Sequence, residues 1–318
     1  MENLKIAIDG ASGFIGSNLV RYFEKEYNVF ALTRNKNNWR LKGSNAEIIN
    51  FDVIDRDKVF DVVKHIRPDI FIHCAVFGGY HFETDPRKII DTNIVGSINT
   101  IDACTDIPLF INTGSSSEYG IRNSPMKETD EIMPNTSYAL TKAIITKFLH
   151  ERGPIARPKA ITLRLFSVYG YYEEKHRFIP YIVYSAIKKQ KAKVWGKSNV
   201  RDFIFIEDVI SAYELVIHKY EKLENGEIFN VGSGKQYTLE EVVNIMGVKA
   251  EWVYPNRPPE PNRTWQADIK NITEKLGWRV NNSIKEGLEK TKEWMKDNID
   301  LYEDEKNDKF SRFKQNNS

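Results

Sequence analysis

The feature that most constrains this chain is an alternation of two periodicities through its first half. Strand-length apolar runs occur at residues 4–8, 28–32, 46–50, 69–73 and 107–111. Between them apolar residues recur at helical spacing, at Ile15, Leu19, Tyr22 and Phe23 and again near 55–66 and 87–104. Runs that are apolar on both faces and separated by helices imply a parallel sheet covered on both sides. The expected fold class is therefore α/β: a doubly wound parallel sheet, Rossmann-like, with a smaller mixed α/β C-terminal substrate lobe. Right-handed crossovers then gather the C-terminal ends of the strands on one edge, where ligands bind in such sheets.

Beyond about residue 165 the pattern loosens. Pro180, Pro255, Pro258, Pro259 and Pro261 punctuate it, with helical stretches near 207–220, 238–246 and 283–297 and a strand at 227–231. We expect a dinucleotide-binding domain over 1–165 and a substrate lobe over 166–296, some of whose segments return to the main sheet. Residues 297–318, rich in Asp, Glu, Lys and Asn, read as a frayed polar tail. A chain of 318 residues with 41% hydrophobic content can bury a large core. With 46 Lys and Arg against 44 Asp and Glu it has no field to hold a polyanion, which excludes nucleic acid as the main partner. Cys74 and Cys104 form no Cys-x-x-Cys pair, and no His-Glu-x-x-His occurs. We expect no metal, no disulfide and a reducing cytoplasm. No apolar run approaches the length of a membrane span and the N-terminus does not read as a signal peptide.

Directly after the first apolar run stands Gly10-Ala-Ser-Gly13-Phe-Ile-Gly16, and a helix follows. The first glycine permits a tight turn, the second lets backbone approach a pyrophosphate, and the third lets helix and strand pack closely. The phosphates would meet free amides and partial positive charge at the helix N-terminus, with Phe14 and Ile15 in its first turn. Arg34 stands 18 positions beyond Gly16, where NAD-selective sites place an acid. An arginine there can receive a 2′-phosphate, so NADP(H) is expected over NAD(H), which stays open as the alternative. Asp52 and Val53, after the third strand, and Ala75, after the fourth, complete the candidate cofactor residues.

Three further segments follow in order: Gly114-Ser-Ser-Ser-Glu-Tyr-Gly120, Tyr138-Ala-Leu-Thr-Lys142 and Leu163-Arg-Leu-Phe-Ser-Val-Tyr-Gly170, then Arg201-Asp-Phe-Ile-Phe-Ile-Glu-Asp-Val209. Together with the glycine turn this ordered set resembles the extended short-chain dehydrogenases/reductases, in their nucleotide-sugar epimerase, dehydratase and reductase branch. The likeness covers roughly residues 4–295. Order matters here, because four tyrosines (138, 171, 184 and 302) precede a lysine by four positions. Only Tyr138 opens a helix that follows a strand ending in a serine cluster.

The resemblance implies Tyr138 as acid/base, Lys142 as the residue that lowers its pKa and holds the nicotinamide ribose, and Ser115 as the group that polarises the reacting oxygen. At i and i+4 on a helix, Lys142 is expected near the Tyr138 ring. Bringing a tyrosine from ~10 to near 7 takes ~4 kcal/mol, more than one ammonium at ~5 Å supplies against burial. The nicotinamide is the natural second cation. Ser116, Ser167, Tyr80, His81, Phe178, Arg201 and Arg257 are the candidate substrate residues, the two arginines for the diphosphate of a nucleotide sugar. Trp195 is a further candidate for the nucleotide pocket. Family dehydratases carry an Asp-Glu pair, or at least a Glu, where this chain has Ser116 and Ser117, with Glu118 one place later. Dehydration is disfavoured, although a one-residue loop deletion would restore Glu118. Asp9 also stands where Thr is usual, and Ser167 where Asn is. The expected function is an NAD(P)-dependent oxidoreductase acting at C4 of a nucleotide-linked hexose, a 4-keto reductase, with a 4-epimerase as the alternative. A 4,6-dehydratase and a non-catalytic NADP-binding sensor are the remaining rivals. The family also implies a homodimer through the helices near 87–104 and 137–150.

Overall fold

The computed structural model describes residues 4–36, 38–80, 82–253 and 264–304. Its centre is a seven-stranded, all-parallel sheet. In chain order its strands are β1 (Lys5–Ile8), β2 (Asn28–Thr33), β3 (Glu47–Asn50), β4 (Ile70–His73), β5 (Leu109–Ser115) and β6 (Lys159–Leu165), with β11 (Glu227–Val231) at one edge. The spatial order is β3-β2-β1-β4-β5-β6-β11. The order reverses between β1 and β4, and the crevice beyond their C-terminal ends is where such sheets bind dinucleotides. All residues of β4 and β5 are buried, and their leading halves, Ile70–Ile72 and Leu109–Ile111, read as apolar runs.

Helices cover both faces. α1 (Phe14–Phe23) packs on one side, and α2 (Arg56–Ile66) on the other. The segment after β4 is a continuous helix in three parts: α3 (Pro86–Ile90), a π-helical turn at Asp91–Val95 and α4 (Gly96–Ala103). The wide turn points Asn93 inward, where it accepts from the Phe77 amide at 2.8 Å and donates to the Phe77 carbonyl (2.8 Å) and to Thr141 Oγ1 (2.9 Å). That ties the loop after β4 to α5 (Ser137–Glu151), whose N-cap Thr136 accepts from the Ala139 amide. π-turns often occur where a helix must aim one side chain at a site.

The second half adds α6 (Phe178–Ile187), α7 (Ile206–Lys219), α8 (Leu239–Met246), α9 (Lys270–Leu276) and α10 (Ile284–Asp297). Three small ladders join β7 (Ser167–Tyr169) to β10 (Phe203–Phe205), β9 (Val200–Arg201) to β12 (Tyr237–Thr238), and β8 (Ala192–Val194) to β13 (Ala250–Trp252). α8 and α10 both begin with capping boxes, Thr238 with Glu241 and Ser283 with Glu286. Two differences from the sequence reading stand out. Pro180, read as punctuation, sits third in α6, where a missing N–H costs nothing. The polar tail expected from residue 297 instead begins with α11 (Ile299–Glu303), because buried Tyr302 docks edge-on against Trp39 and Trp294. No helix among the described residues is long and apolar enough to cross a membrane.

Candidate active site

The glycine turn fits a dinucleotide's diphosphate. Gly10 has φ +58°, and a Cβ there would lie 2.6 Å from the Cys74 carbonyl carbon. A Cβ on Gly16 would meet the Gly10 carbonyl oxygen at 2.5 Å. Gly13 differs: it is exposed and caps α1 with no side-chain acceptor, so the amides of the first turn stay open to an anion. Phe14 and Ile15 are half-buried beside it. Asp9, buried at the end of β1, accepts from the amides of Cys74 (2.6 Å) and Ala75 (2.8 Å) and pairs with His73 Nδ1 at 2.5 Å. His73 Nε2 meets Ser97 Oγ at 2.8 Å. The unusual acid thus clamps the β4 exit onto the glycine turn. Arg34 is exposed just after β2. Asp52 turns its carboxylate to the Ile54 amide, and Val53 is buried against Gly96.

Ser115 ends β5 and Tyr138 starts α5, so the crossover brings both to the same sheet edge. Burial raises the Tyr138 phenol above its ordinary value, while a hydrogen bond with Ser115 and the charge of Arg177 pull it down; Glu118 and Glu83 push it up. The Tyr138 ring lies against the Gly78–Gly79 peptides. Lys142 follows one turn later on α5. Its buried Nζ donates to the Thr113 carbonyl at 2.8 Å. Burial lowers its pKa, against Cys74, Glu118 and Asp9. Cys74 Sγ lies 3.2 Å from Thr113 Oγ1 and is pushed up to about 12, chiefly by burial; Cys104 is buried in the core.

Glu118 is fully buried and wholly engaged. Its Oε1 accepts from the Ser115 amide (2.8 Å) and Thr146 Oγ1 (3.1 Å), and its Oε2 from Arg164 Nε (2.7 Å). Arg164 also donates to Tyr119 Oη at 2.9 Å. Gly114 makes the room, since a Cβ there would come 2.9 Å from Glu118 Oε1. Ser116 is buried in the short 3₁₀ turn that follows Ser115.

At the substrate end, Phe178 opens α6 and stacks on Phe203 at 6.0 Å, and Phe203 pairs in register with Ser167. Arg201 lies two residues away on β9, its guanidinium 5.1 Å from the Trp265 ring. Buried Asp202 organises that region, accepting from Ser233, Gly234 and Ala267. Tyr80 stacks on Phe82 and lies under Arg177. Trp195 is exposed. His81 and Arg257 lie outside the described residues. Sequence reasoning missed Arg177 and Glu83; the only available signal for Arg177 was its place directly before Phe178.

A strand, glycine turn and helix at the switch point, with a serine and a tyrosine meeting beside it, coincide with a family match. The model of the NAD dependent epimerase/dehydratase family covers residues 6–232. The chain belongs to that family. It is an enzyme of the extended short-chain dehydrogenase/reductase type. It is 26% identical to the GDP-L-colitose synthase of Yersinia pseudotuberculosis, over 91% of this chain and 96% of that one. It is equally 26% identical to the UDP-glucose 4-epimerase of Lactobacillus helveticus, over 95% of this chain and 100% of the relative. The enzyme also shares its fold with the UDP-glucose 4-epimerase of Thermotoga maritima solved with UDP-glucose, at TM-score 0.83 and 24% identity, covering 93% of this chain and 100% of that one.

Proposed function

We propose that the enzyme transfers hydride at C4 of a nucleotide-linked hexose and does not eliminate water. One observation carries this reading: Glu118, the acid of the serine-rich segment, is locked in a buried pair with Arg164. Elimination needs a carboxylate free to remove a proton beside the keto group, and Ser116 and Ser117 stand in the positions that would supply one. Ser115 and Tyr138 remain to serve the C4 oxygen. Tyr138 takes the hydroxyl proton as the sugar is oxidised and returns it on reduction, while Ser115 holds the oxygen by a hydrogen bond. The bound nicotinamide supplies the hydride acceptor and donor. Gly10, Gly13, Phe14 and Ile15 hold the diphosphate, and Lys142 is placed for the ribose. Arg201, Ser167, Tyr80 and Phe178 face the nucleotide sugar.

Two outcomes share this chemistry. Relatives named UDP-glucose 4-epimerases favour inversion, with NAD recycled in place. Exposed Arg34, set to meet a 2′-phosphate, favours net reduction of a 4-keto sugar with NADPH. Incubation with UDP-, GDP-, CDP- and dTDP-sugars, and separately with their 4-keto forms and NADPH, followed by NMR of the C4 configuration and absorbance of the reduced cofactor, separates them. Inversion leaves cofactor absorbance unchanged, whereas reductase activity consumes NADPH steadily. In either case Tyr138→Phe is expected to cost about 10²–10⁴-fold in kcat. Undiminished turnover in that variant would sink the assignment.

A further inference from the structure

Tyr138 can give up its proton near neutrality only if positive charge lies beside its oxygen, and Lys142, whose ammonium also donates to the Thr113 carbonyl, is the charge expected from its own helix. The structure offers a second cation from the opposite side of the cleft. Arg177, the N-cap residue of α6, extends its guanidinium over the loop after β4, where Nη2 donates to the Gly79 carbonyl at 2.5 Å. The guanidinium carbon lies 4.5 Å from the centre of the Tyr80 ring. That same peptide is the surface on which Tyr138 rests: a Cβ on Gly79 would come 3.9 Å from Tyr138 Cε2, and one on Gly78 would come 3.6 Å from its Cβ. The Gly78–Tyr80 segment is thus held between Arg177 on one side and the phenol ring on the other.

We propose that Arg177 is a positioning residue for proton transfer at Tyr138: seated on the Gly79 carbonyl, it fixes the loop against the ring and keeps a permanent positive charge on the substrate side of the phenol. The proposal rests on the reading of Tyr138 as the proton-transferring group. Among the described residues, the charges that act on that phenol are Glu118 after β5, Glu83 from the loop after β4 and Arg177 from α6, with Lys142 one turn along its own helix. Glu118 is paired with Arg164, and Glu83 accepts from the amides of Gly78 and Tyr80. Arg177 opposes the effect of both acids on the phenol. Arginine suits the task because its guanidinium stays charged, donates in plane and stacks on an aromatic face at the same time.

The test is a titration that needs no turnover. In the complex with NAD⁺, the ultraviolet phenolate signal of Tyr138 is isolated by subtracting the same titration of Tyr138→Phe. Arg177→Gln is expected to raise the phenol by roughly 0.5–1 pH unit, the effect of one partly screened charge at this range. Arg177→Lys, which keeps the charge, is expected to restore most of that shift. Arg177 is exposed and its side chain caps no helix amide, so both variants should remain folded, and melting temperatures are compared because Arg177 also opposes the raised Glu173. Where sugar oxidation can be followed, the rising limb of kcat/KM against pH should move by the same amount. An unmoved titration in Arg177→Gln overturns the proposal, including when KM for the nucleotide sugar rises, since that result makes Arg177 a substrate contact. Full activity in Tyr138→Phe would instead fell the underlying reading, and the two failures are read from different variants.

Discussion

Glu118 carries the proposal against elimination by where it points. Its pair with Arg164 leaves 0% and 4% of the two side chains exposed, so neither charge is screened by water. Breaking such a pair from one side leaves the other charge uncompensated, and Glu118→Gln is expected to lose about 3 kcal/mol of stability, read from urea denaturation. A loss near zero would show that Arg164 finds another acceptor. Glu173 offers the opposite case. It is buried, its Oε2 has no hydrogen-bond partner, and burial pushes it from an ordinary 4.5 to about 8, with Arg177 and Arg40 opposing and Glu174 adding. A carboxyl raised on folding favours the folded state fully below its unfolded value, and that contribution is lost as pH rises through about 8. The melting temperature should therefore fall between about pH 5 and about pH 9, and Glu173→Gln, neutral throughout, should flatten that fall. An identical slope in the variant would assign the pH dependence elsewhere, with Asp202, raised to about 6 by burial, the next group to replace.

Elements differ in how much of them the chain announces. β4 and β5 were legible because their leading residues, Ile70–Ile72 and Leu109–Ile111, are buried between two helix layers and apolar without interruption. That Ser115 and Tyr138 come together was legible because the segments bearing them occur in a fixed order along the chain. α6 was not, because Pro180 reads as a break unless its place in the first turn is known, and Arg177 gains meaning only from a peptide 98 positions away. α11 was hidden by polar composition, since one aromatic, Tyr302, does its docking. The Thr113 carbonyl as a partner of the Lys142 ammonium was not legible, because helical spacing fixes a direction and not a hydrogen-bond partner. The glycine turn lets the two roles of its residues be separated. A Cβ on Gly16 meets backbone at 2.5 Å, which cannot yield, so Gly16→Ala should lower both melting temperature and dinucleotide affinity. A Cβ on exposed Gly13 meets only the Gly10 oxygen, at 3.1 Å. Gly13→Ala should keep a near-normal melting temperature yet bind NAD⁺ about tenfold or more weakly, since the added methyl stands where the diphosphate approaches the amides. Equal losses in both variants by calorimetry would show that the turn has only a packing role.

The molecule as a whole carries an apolar face that its own fold leaves uncovered. On α5, Leu140, Ile144 and Phe148 recur every four residues and are 49%, 40% and 41% exposed. Ile90 and Val95, from the neighbouring helix, add 49% and 44%. The opposite side of α5 is already buried through Ala139, Lys142, Ala143, Thr146 and Leu149. A helix apolar on both sides is stable in water only when both are covered. A second copy presenting the same two helices would cover this face symmetrically, and a formal charge of +2 per chain offers little repulsion. The expected species is a homodimer in which the back of the helix bearing Tyr138 and Lys142 packs on its twin. Leu140→Glu together with Ile144→Glu should sediment as a folded monomer, with lower melting temperature and reduced kcat, because the helix that carries the proposed acid/base loses its external support. If the unaltered enzyme sediments as a monomer at micromolar concentration, the stripe has some other occupant and α5 holds its catalytic face unaided.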